Sequence, residues 1–273
     1  MFHFKSPAKL NLFLNILDKR TDGYYNIQSI FQLIDFYDEI NLEKRDDNEI
    51  ILSSNKKQLE RDNLILEAIS LFKSAYQIKN FGANINLVKN IPIGSGLGGG
   101  SSNAATILLA LLRIFNIDES RNNLTKLALK IGSDVPFFLQ RQSAWVEVRG
   151  EKILPVVLND NWYLLIFCDN NISTREMYGL IKNQNKPKKK TMEDFLSGET
   201  NNIFESMVVK RYPTVSRVRD WLSQYGQARM SGTGDTWFLS FDNLERAKEV
   251  GNLVPNHFKH VIVRGLSSYE FRE

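Results

Sequence analysis

The sequence is poor in the residues that build disulfides and metal sites. It holds one cysteine, Cys168, and three histidines in 273 residues. One cysteine excludes an internal disulfide framework and a cysteine-built metal centre, and it favours a reducing compartment. The histidines form no HxH or HxxxH pair, so the sequence assigns no metal ion to protein ligands.

Long apolar runs are absent too. No stretch of about 18 apolar residues is present, and residues 1–5 alternate like a strand without an apolar signal-peptide core. We therefore expect a cytoplasmic protein with no membrane partner. A net charge of +4 is too weak at this length to predict nucleic-acid binding. The one basic run, residues 186–190, lacks interleaved aromatics and is typical of a solvated loop rather than a phosphate patch.

The main feature present is a glycine-rich segment at residues 92–105. It reads PIGSGLGGGSSNAA and precedes a strongly helical run. Glycines let successive backbone N–H groups turn toward one point, and a helix predicted to begin at Ser101 or Ser102 adds unpaired N–H groups and a positive dipole end. This pattern predicts a phosphate cradle. Gly100 stands where a P-loop has lysine, the spacing differs from the dinucleotide motif, and a flexible linker remains the alternative.

Strand and helix patterns are mixed in both halves of the chain, which predicts an α+β protein of two domains. A polar segment before the apolar strand 162–168 places the boundary, giving domains 1–157 and 158–273. In the first half the pattern predicts separate strands at 8–17, 27–33 and 38–44, with helices at 63–75 and 102–115.

A second glycine-rich segment lies in the C-terminal half, between two predicted strands. Residues 229–236 read RMSGTGDT. A hairpin turn is one interpretation. The other is a backbone loop that closes over the phosphates from the second domain.

Two charged residues are candidates for chemistry. Lys9 shares a strand face with Asn11, and Asp134 directly follows a helix that ends near Ile131. A carboxylate there accepts the proton of an attacking hydroxyl, while an ammonium neutralises charge on a transferring phosphoryl group. On local grounds a strand-edge lysine and a turn or cap aspartate remain open. We expect Mg²⁺ to arrive with the nucleotide, held chiefly by its phosphates.

Five motifs then occur in the order found in one known family. They are PAKLNL at 7–12, DGY at 22–24, the segment 92–105, SDVP at 133–136 and SGTG at 231–234. Over about residues 6 to 241 this series resembles the GHMP kinase superfamily. The resemblance implies an N-terminal nucleotide-binding α/β domain of the ribosomal S5 domain 2 type, a C-terminal ferredoxin-like domain, and an active site in the cleft between them. It also implies ATP-dependent phosphorylation of a hydroxyl, in a branch that acts on a cytidyl diphosphate of methylerythritol.

The resemblance also implies roles for individual residues. Asp134 is the expected general base and Lys9 its electrostatic partner. The expected ATP-binding residues are Asn63, Lys89, Pro92, Ile93, Gly94, Ser95, Gly96, Leu97, Gly98, Gly99, Gly100, Ser101 and Ser102. The expected substrate-binding residues are Asn11, Tyr24, Tyr25, Thr174 and Tyr178.

Four positions depart from the family pattern. Tyr25 replaces the usual histidine, and Asp235 follows the late Gly-Thr-Gly where small residues are usual. Asn202 replaces an aspartate, and Val148 replaces a glycine. Asp235 either faces away from the phosphates or helps to hold Mg²⁺. Two other functions remain as alternatives: another GHMP kinase of the homoserine or mevalonate type, and a nucleotide-binding protein without catalysis.

Overall fold

The computed structural model describes residues 1–170, 172–181 and 188–271. Within these ranges ten strands form one mixed sheet. The strands are β1 (Phe2–Lys19), β2 (Tyr25–Arg45), β3 (Ile50–Ser54), β4 (Gly82–Val88), β5 (Ala144–Val148), β6 (Lys152–Pro155), β7 (Trp162–Phe167), β8 (Arg229–Ser231), β9 (Thr236–Phe241) and β10 (Lys259–Leu266). The helices are α1 (Leu64–Ala75), α2 (Gly99–Ile114), α3 (Arg121–Ile131), α4 (Val135–Gln140), α5 (Thr174–Gly179), α6 (Met192–Leu196), α7 (Glu205–Arg211), α8 (Pro213–Leu222) and α9 (Leu244–Gly251), with a 3₁₀ turn at Lys57–Leu59.

Strand β2 is the axis of the sheet. It pairs antiparallel with β1 along almost its whole length, and with β5, β10 and β4 along successive segments. The prediction of two strands at 27–33 and 38–44 was wrong, because one strand runs through both. The pairing of Pro7 with Tyr37 and of Ala8 with Ile34 skips two residues. The break in the apolar pattern therefore marks a bulge, where the chain bends without leaving the sheet.

The helices of the N-terminal half cover one core. Helix α1 confirms the predicted helix, with Asn63 as its N-cap accepting a hydrogen bond from the N–H of Ile65 at 3.0 Å. Helix α2 begins at Gly99, earlier than the predicted start at Ser101 or Ser102, and most of its residues are buried. Glycine is a poor helix residue, so propensity placed the start too late.

The sheet and an apolar cluster both join the halves of the chain. Strand β10 pairs with β7 and then, through Gly265 and Leu266, with β2. An apolar cluster packs Leu10 and Phe13 of β1 against residues of the C-terminal half such as Leu165 and Phe238. Residues 156–161 between β6 and β7 contain no helix or strand, so the boundary at 157 and 158 stays a reasonable prediction.

Two further sequence expectations concern loops and membranes. In the basic run 186–190, residues 186 and 187 lie outside the described part of the chain. Residues 188–190 form no helix or strand, and the carbonyls of Lys188 and Lys190 accept hydrogen bonds from Asn15 and Gln28. Among the described residues, we find no helix with the length and apolar character needed to cross a bilayer.

Candidate active site

A cavity of about 380 Å³ lies between the two glycine-rich loops. Its wall combines residues of β1, the segment 92–101, Asp134 directly before α4, Thr174 and Tyr178 of α5, and residues 232–233. The structure thus brings together segments that are more than 200 residues apart in the sequence. The expected site residues in this wall are Lys9, Asn11, Lys89, Pro92, Ile93, Gly94, Ser95, Gly96, Gly98, Gly99, Gly100, Ser101, Asp134, Thr174 and Tyr178.

The first glycine loop has a backbone that only glycine adopts easily. Gly94, Gly96 and Gly98 have φ angles of +73°, +76° and +72°. A Cβ at Gly98 would lie 2.9 Å from the Phe138 ring and 3.2 Å from Cε of Lys9. Alternate left-handed residues turn backbone N–H groups toward a common concavity. The loop therefore has the backbone form of an anion cradle.

The start of α2 adds donors to this cradle. The N–H of Ser102 donates to the carbonyl of Gly98 at 2.9 Å. The amides of Gly99, Gly100 and Ser101 precede that bond and have no acceptor within the helix. Gly99, Gly100 and Ser101 form part of the cavity wall, so their three N–H groups and the positive end of the helix lie at the cavity.

A buried carboxylate fastens both ends of the loop. Asp38 is fully buried and accepts hydrogen bonds from the N–H groups of Asn90 and Ile91, each at 2.8 Å. It also accepts from Lys89 Nζ at 2.6 Å and from Asn103 Nδ2 at 3.0 Å. Asn90 and Ile91 enter the loop, and Asn103 lies in the helix that leaves it. One carboxylate with four donors thus holds the loop closed at low desolvation cost.

Lys9 lies at the centre of the cavity wall. Its side chain is 3% exposed, and its Nζ donates to Gly96 O at 2.8 Å and to Asn11 Oδ1. Asp134 Oδ2 lies 3.8 Å from the same nitrogen. Burial lowers the pKa of Lys9, and the nearby charge of Asp134 opposes that shift. The ammonium therefore lies between the glycine loop and the carboxylate. It also contacts Asn11, which shares a strand face with Lys9 as predicted.

The side chain of Asp134 makes no capping hydrogen bond to the helix that follows it. Asp134 precedes α4, and its side chain is 32% exposed. The loop that carries it packs tightly, because a Cβ at Gly150 would lie 2.2 Å from the carbonyl oxygen of Ser133. Asp134 therefore occupies the turn and the N-cap position that local reasoning allowed, but its side chain makes no capping hydrogen bond and lines the cavity instead.

Part of the cavity wall is apolar and aromatic. Leu14, Ile27 and Tyr178 line it, and Thr174 Oγ1 lies 3.1 Å from Thr233 Oγ1 of the late glycine loop. The Tyr25 ring lies 5.7 Å from the Tyr178 ring and does not itself line the cavity. Burial raises the pKa of Tyr178, which therefore stays a neutral phenol at physiological pH. This part of the wall suits the binding of a flat ring.

Five of the expected site residues lie outside the cavity wall. Leu97 is in the core, and the Ser102 hydroxyl accepts a hydrogen bond from Ser6 at 2.8 Å. The Asn63 side chain is engaged at both ends, because it caps α1 and donates to Leu59 O. Tyr24 is 46% exposed, with the Arg149 guanidinium 3.6 Å from its ring. Tyr25, the fifth, reaches the cavity only through Tyr178.

The second glycine-rich segment confirms the hairpin interpretation, while closure over phosphates stays a prediction. It is the hairpin turn between β8 and β9, and it also packs on the first loop. A Cβ at Gly232, whose φ is +61°, would lie 2.9 Å from Cα of Gly96. Thr236 Oγ1 donates to Ser95 O at 2.8 Å. The SGTG motif assigned Ser231 no role of its own, although its hydroxyl donates to Gly96 O of the first loop at 3.1 Å.

Two family models match this chain. One, for the GHMP kinases N terminal domain, matches residues 63–142, and the other, for the GHMP kinases C terminal domain, matches residues 178–260. A protein of Thiobacillus denitrificans is 38% identical over 97% of this chain and 96% of its own length. The chain belongs to the GHMP kinase family. That relative carries the name 4-diphosphocytidyl-2-C-methyl-D-erythritol kinase, as does a Pasteurella multocida protein that is 38% identical over 97% of this chain and 90% of its own length.

Solved structures agree with the GHMP kinase assignment. A crystal structure of 4-(cytidine 5'-diphospho)-2C-methyl-D-erythritol kinase superposes with a TM-score of 0.83 at 26% identity, covering 96% of this chain and 98% of that one. A mevalonate kinase of Methanococcus jannaschii superposes with a TM-score of 0.69 at 19% identity, covering 97% and 98%. The predicted two-domain GHMP kinase fold of the α+β class is therefore confirmed.

Two departures from the GHMP kinase pattern have a structural account. Asp235 is buried and accepts a hydrogen bond from the N–H of Asn170 at 2.8 Å, and it does not line the cavity. It therefore faces away from the cradle. Asn202 Nδ2 donates to Met230 O at 3.0 Å and to Gly232 O at 2.7 Å, which a carboxylate could not do. This amide holds the second glycine-rich segment in place through two of its carbonyls.

A third departure carries backbone strain. Val148 has a φ of +66°, in the left-handed region that suits glycine and disfavours a β-branched residue. The family's glycine at this place would remove that strain. Val148 lies two residues before Gly150, whose backbone contacts Ser133.

Proposed function

We propose that this chain transfers the γ-phosphoryl group of ATP to the 2-hydroxyl of 4-diphosphocytidyl-2-C-methyl-D-erythritol. The observation that carries the proposal is the Lys9 and Asp134 pair, 3.8 Å apart, in one cavity with a glycine cradle. The acceptor is suggested by the names of relatives that match this chain over almost its whole length at 36 to 38% identity. The site residues and their roles are part of the proposal.

The cradle suits the phosphates of ATP in its shape and in its charge. A Cβ at Gly99 would lie 2.7 Å from Lys89 Nζ, so a side chain there would displace the ammonium that is paired with Asp38. Lys9 and Lys89 bring two ammonium groups to the wall, and α2 adds its unpaired amides. ATP, when bound, supplies the phosphoryl group. Leu59 and Leu64 line the cavity next to Asn63, where a nucleoside base would lie.

Asp134 acts as the general base in this account. Its carboxylate takes the proton of the acceptor hydroxyl as that oxygen forms a bond to the γ-phosphorus. The bond between the γ-phosphorus and the bridging oxygen breaks, and ADP leaves with the electron pair. Lys9 stabilises the negative charge of the carboxylate and of the transferring group. Asn11 fixes the ammonium through its Oδ1 and so orients the pair.

The acceptor's cytidine is proposed to occupy the aromatic part of the cavity. Tyr178 offers a ring face there, and Thr174 and Thr233 offer hydroxyls. Tyr25 packs against Tyr178, and Tyr24 is exposed outside the cavity wall. Tyr25 has one hydroxyl where the family's histidine has two ring nitrogens, so we infer that base recognition relies more on stacking here.

Mg²⁺ is proposed to enter with ATP. The described residues contain no group of three His, Cys, Asp or Glu side chains suited to a metal. Mg²⁺ commonly keeps most of its shell as water and phosphate oxygens and takes one or two protein ligands. Ser101 lines the cradle, and its hydroxyl is the candidate protein ligand. A cytoplasmic location and the absence of a nucleic-acid partner stay predictions from the sequence.

The proposal is tested by the choice of acceptor. We would measure ADP release from ATP and Mg²⁺ with 4-diphosphocytidyl-2-C-methyl-D-erythritol, mevalonate, homoserine or galactose as the acceptor. We expect turnover with the cytidyl compound alone, and phosphate on its 2-hydroxyl by NMR. Turnover with another alcohol only would assign the site to a different GHMP kinase. ATP binding without turnover on any acceptor would favour a non-catalytic nucleotide-binding protein.

A further inference from the structure

Ser231 lies where three segments of the chain meet. It is the last residue of β8 and is fully buried. The N–H of Asn11 in β1 donates to Ser231 Oγ at 3.1 Å, and Oγ in turn donates to Gly96 O at 3.1 Å. A serine hydroxyl has one proton, and a backbone amide can only donate. The direction of both hydrogen bonds is therefore fixed, and the hydroxyl has a single orientation.

Both partners of Ser231 also hold the Lys9 ammonium. Gly96 O accepts from Lys9 Nζ at 2.8 Å, so this carbonyl is shared by the ammonium and the Ser231 hydroxyl. Asn11, whose N–H reaches Ser231, accepts from the same Nζ through its Oδ1. Ser231 thus binds one of the oxygens around Lys9 directly, Gly96 O, and it holds the backbone of Asn11, the residue that carries the other.

The Asn11 N–H points away from β2, as does the N–H of Lys9 two residues earlier, which donates to Leu97 O at 3.0 Å. A bulge follows directly, because the register with β2 shifts between Asn11 and Phe13. Arg229 holds the bulge, because its Nη1 donates to Leu12 O at 2.8 Å. Bulges commonly aim a side chain next to an active site. Here the C-terminal half supplies the groups that keep the bulge in place.

We propose that Ser231 is a positioning residue for phosphoryl transfer, which sets the place of the Lys9 ammonium through Gly96 and Asn11. The proposal rests on the roles of Lys9 and Asp134 proposed above. It adds a specific task for the late glycine loop: it aligns the reactive pair from the second half of the chain. Thr236 offers a contrast, because its Oγ1 binds the first loop at Ser95 O and contacts neither Asn11 nor Gly96 O.

The first experiment compares Ser231→Ala with Thr236→Val. Each variant loses one buried hydroxyl that binds a carbonyl of the first loop. We expect Ser231→Ala to lower kcat by about 10 to 100-fold with the KM for ATP within about threefold, because misplacement acts on the transition state. Thr236→Val is expected to lower the Tm to a similar extent with a kcat loss below about threefold. Equal kcat losses in the two variants would overturn the proposal.

Conservative replacement provides a second readout. Ser231→Thr keeps a hydroxyl and is expected to recover most of the lost kcat, whereas Ser231→Cys, with its weak S–H donor, is expected to recover little. Circular dichroism and the stoichiometry of ATP binding would establish the folded fraction. If Ser231→Ala does not fold, the comparison of the Thr and Cys variants decides, and equal kcat values for these two would contradict the proposal.

A double-mutant cycle shows whether Ser231 acts through the reactive pair. In an Asp134→Asn background, Ser231→Ala is expected to lower kcat by less than about threefold, because the pair it aligns is already disabled. The same loss as in the wild-type background would place its action elsewhere and overturn the inference. If Asp134→Asn alone leaves kcat unchanged, the proposed base fails. If only Ser231→Ala leaves it unchanged, the positioning role fails and the kinase proposal stands.

Discussion

At the scale of single residues, the proposed chemistry depends on the small number of charged side chains in the cavity wall. Among the described residues that line it, Asp134 is the one carboxylate, and Lys9 and Lys89 are the two ammonium groups. Lys89 is paired with Asp38 at 2.6 Å, which leaves Lys9 as the ammonium next to Asp134. An acidic residue at the cradle itself would repel phosphate, and Asp235 avoids this by binding the Asn170 amide instead.

The lowered pKa of Lys9 predicts that kcat falls with rising pH while the contribution of Lys9 to the free energy of unfolding rises. Burial lowers its pKa below the ordinary 10.5. We expect kcat to fall as pH rises through that lowered pKa, because the ammonium loses its charge. Between the lowered pKa and 10.5 the unfolded chain binds the extra proton, so the contribution of Lys9 to the free energy of unfolding rises with pH. Below the lowered pKa that contribution is flat, since both states are protonated.

The measurement is a pair of pH profiles, kcat for the wild type and unfolding free energy for the wild type and Lys9→Met. The difference between the two stability profiles isolates Lys9 from Lys89, whose pKa is also lowered by burial. An alkaline limb of kcat at or above 10.5, together with a stability difference that does not change with pH, would refute the assignment.

At the scale of elements, the cradle is a loop closed by contacts at both ends. Asp38 fastens the entry to the loop and the first turns of α2, and the hairpin of β8 and β9 covers it. A rigid loop loses less conformational freedom when phosphates bind, so its amides contribute more of their binding energy. The glycines permit the backbone form, while the surrounding side chains hold it.

Gly98 tests the cradle, and Gly198 provides a matched control. Both have a positive φ, at +72° and +80°, so Ala is strained by about 1 to 2 kcal/mol in either place. Only at Gly98 would the new Cβ meet Phe138 and Lys9. We expect Gly98→Ala to raise the Kd for ATP at least about 10-fold and Gly198→Ala to leave it unchanged, measured by calorimetry. Equal ATP affinities in the two variants would remove the cradle assignment.

Much of this element arrangement could be predicted from the sequence. The glycine segment, the shared face of Lys9 and Asn11, and the cap at Asn63 are local patterns, and the structure agrees with each. The continuity of β2 could not be predicted, because it depends on the strands that flank it. Ser231 belongs to the SGTG motif, but the motif alone assigned it no role. Its role depends on a contact with Asn11, 220 residues away, that only the folded chain creates.

At the scale of the whole molecule, the cavity exists only while both halves are joined. Strand β10 returns to pair with β2, and Tyr269 Oη donates to Lys5 O at 2.5 Å. The apolar cluster behind β1 takes residues from both halves. Separating the halves would expose Leu10 and Phe13, so we infer one cooperative unit rather than two independent domains.

Single-tryptophan variants check this inference. Trp145 lies in the N-terminal half and Trp237 in the C-terminal half, and both are buried. With the remaining tryptophans replaced by Phe, we expect the two probes to report the same denaturant midpoint in otherwise matched variants. Midpoints that differ by more than the shift caused by the substitutions would show that the halves unfold separately.

The central claim is that Asp134 removes the acceptor's proton in a cavity that binds ATP independently of that carboxylate. The most direct measurement is the single-turnover rate of phosphoryl transfer in Asp134→Asn, alongside its Kd for ATP. We predict a rate at least about 10²-fold below wild type with the Kd for ATP within about threefold. A wild-type rate in this variant would contradict the account.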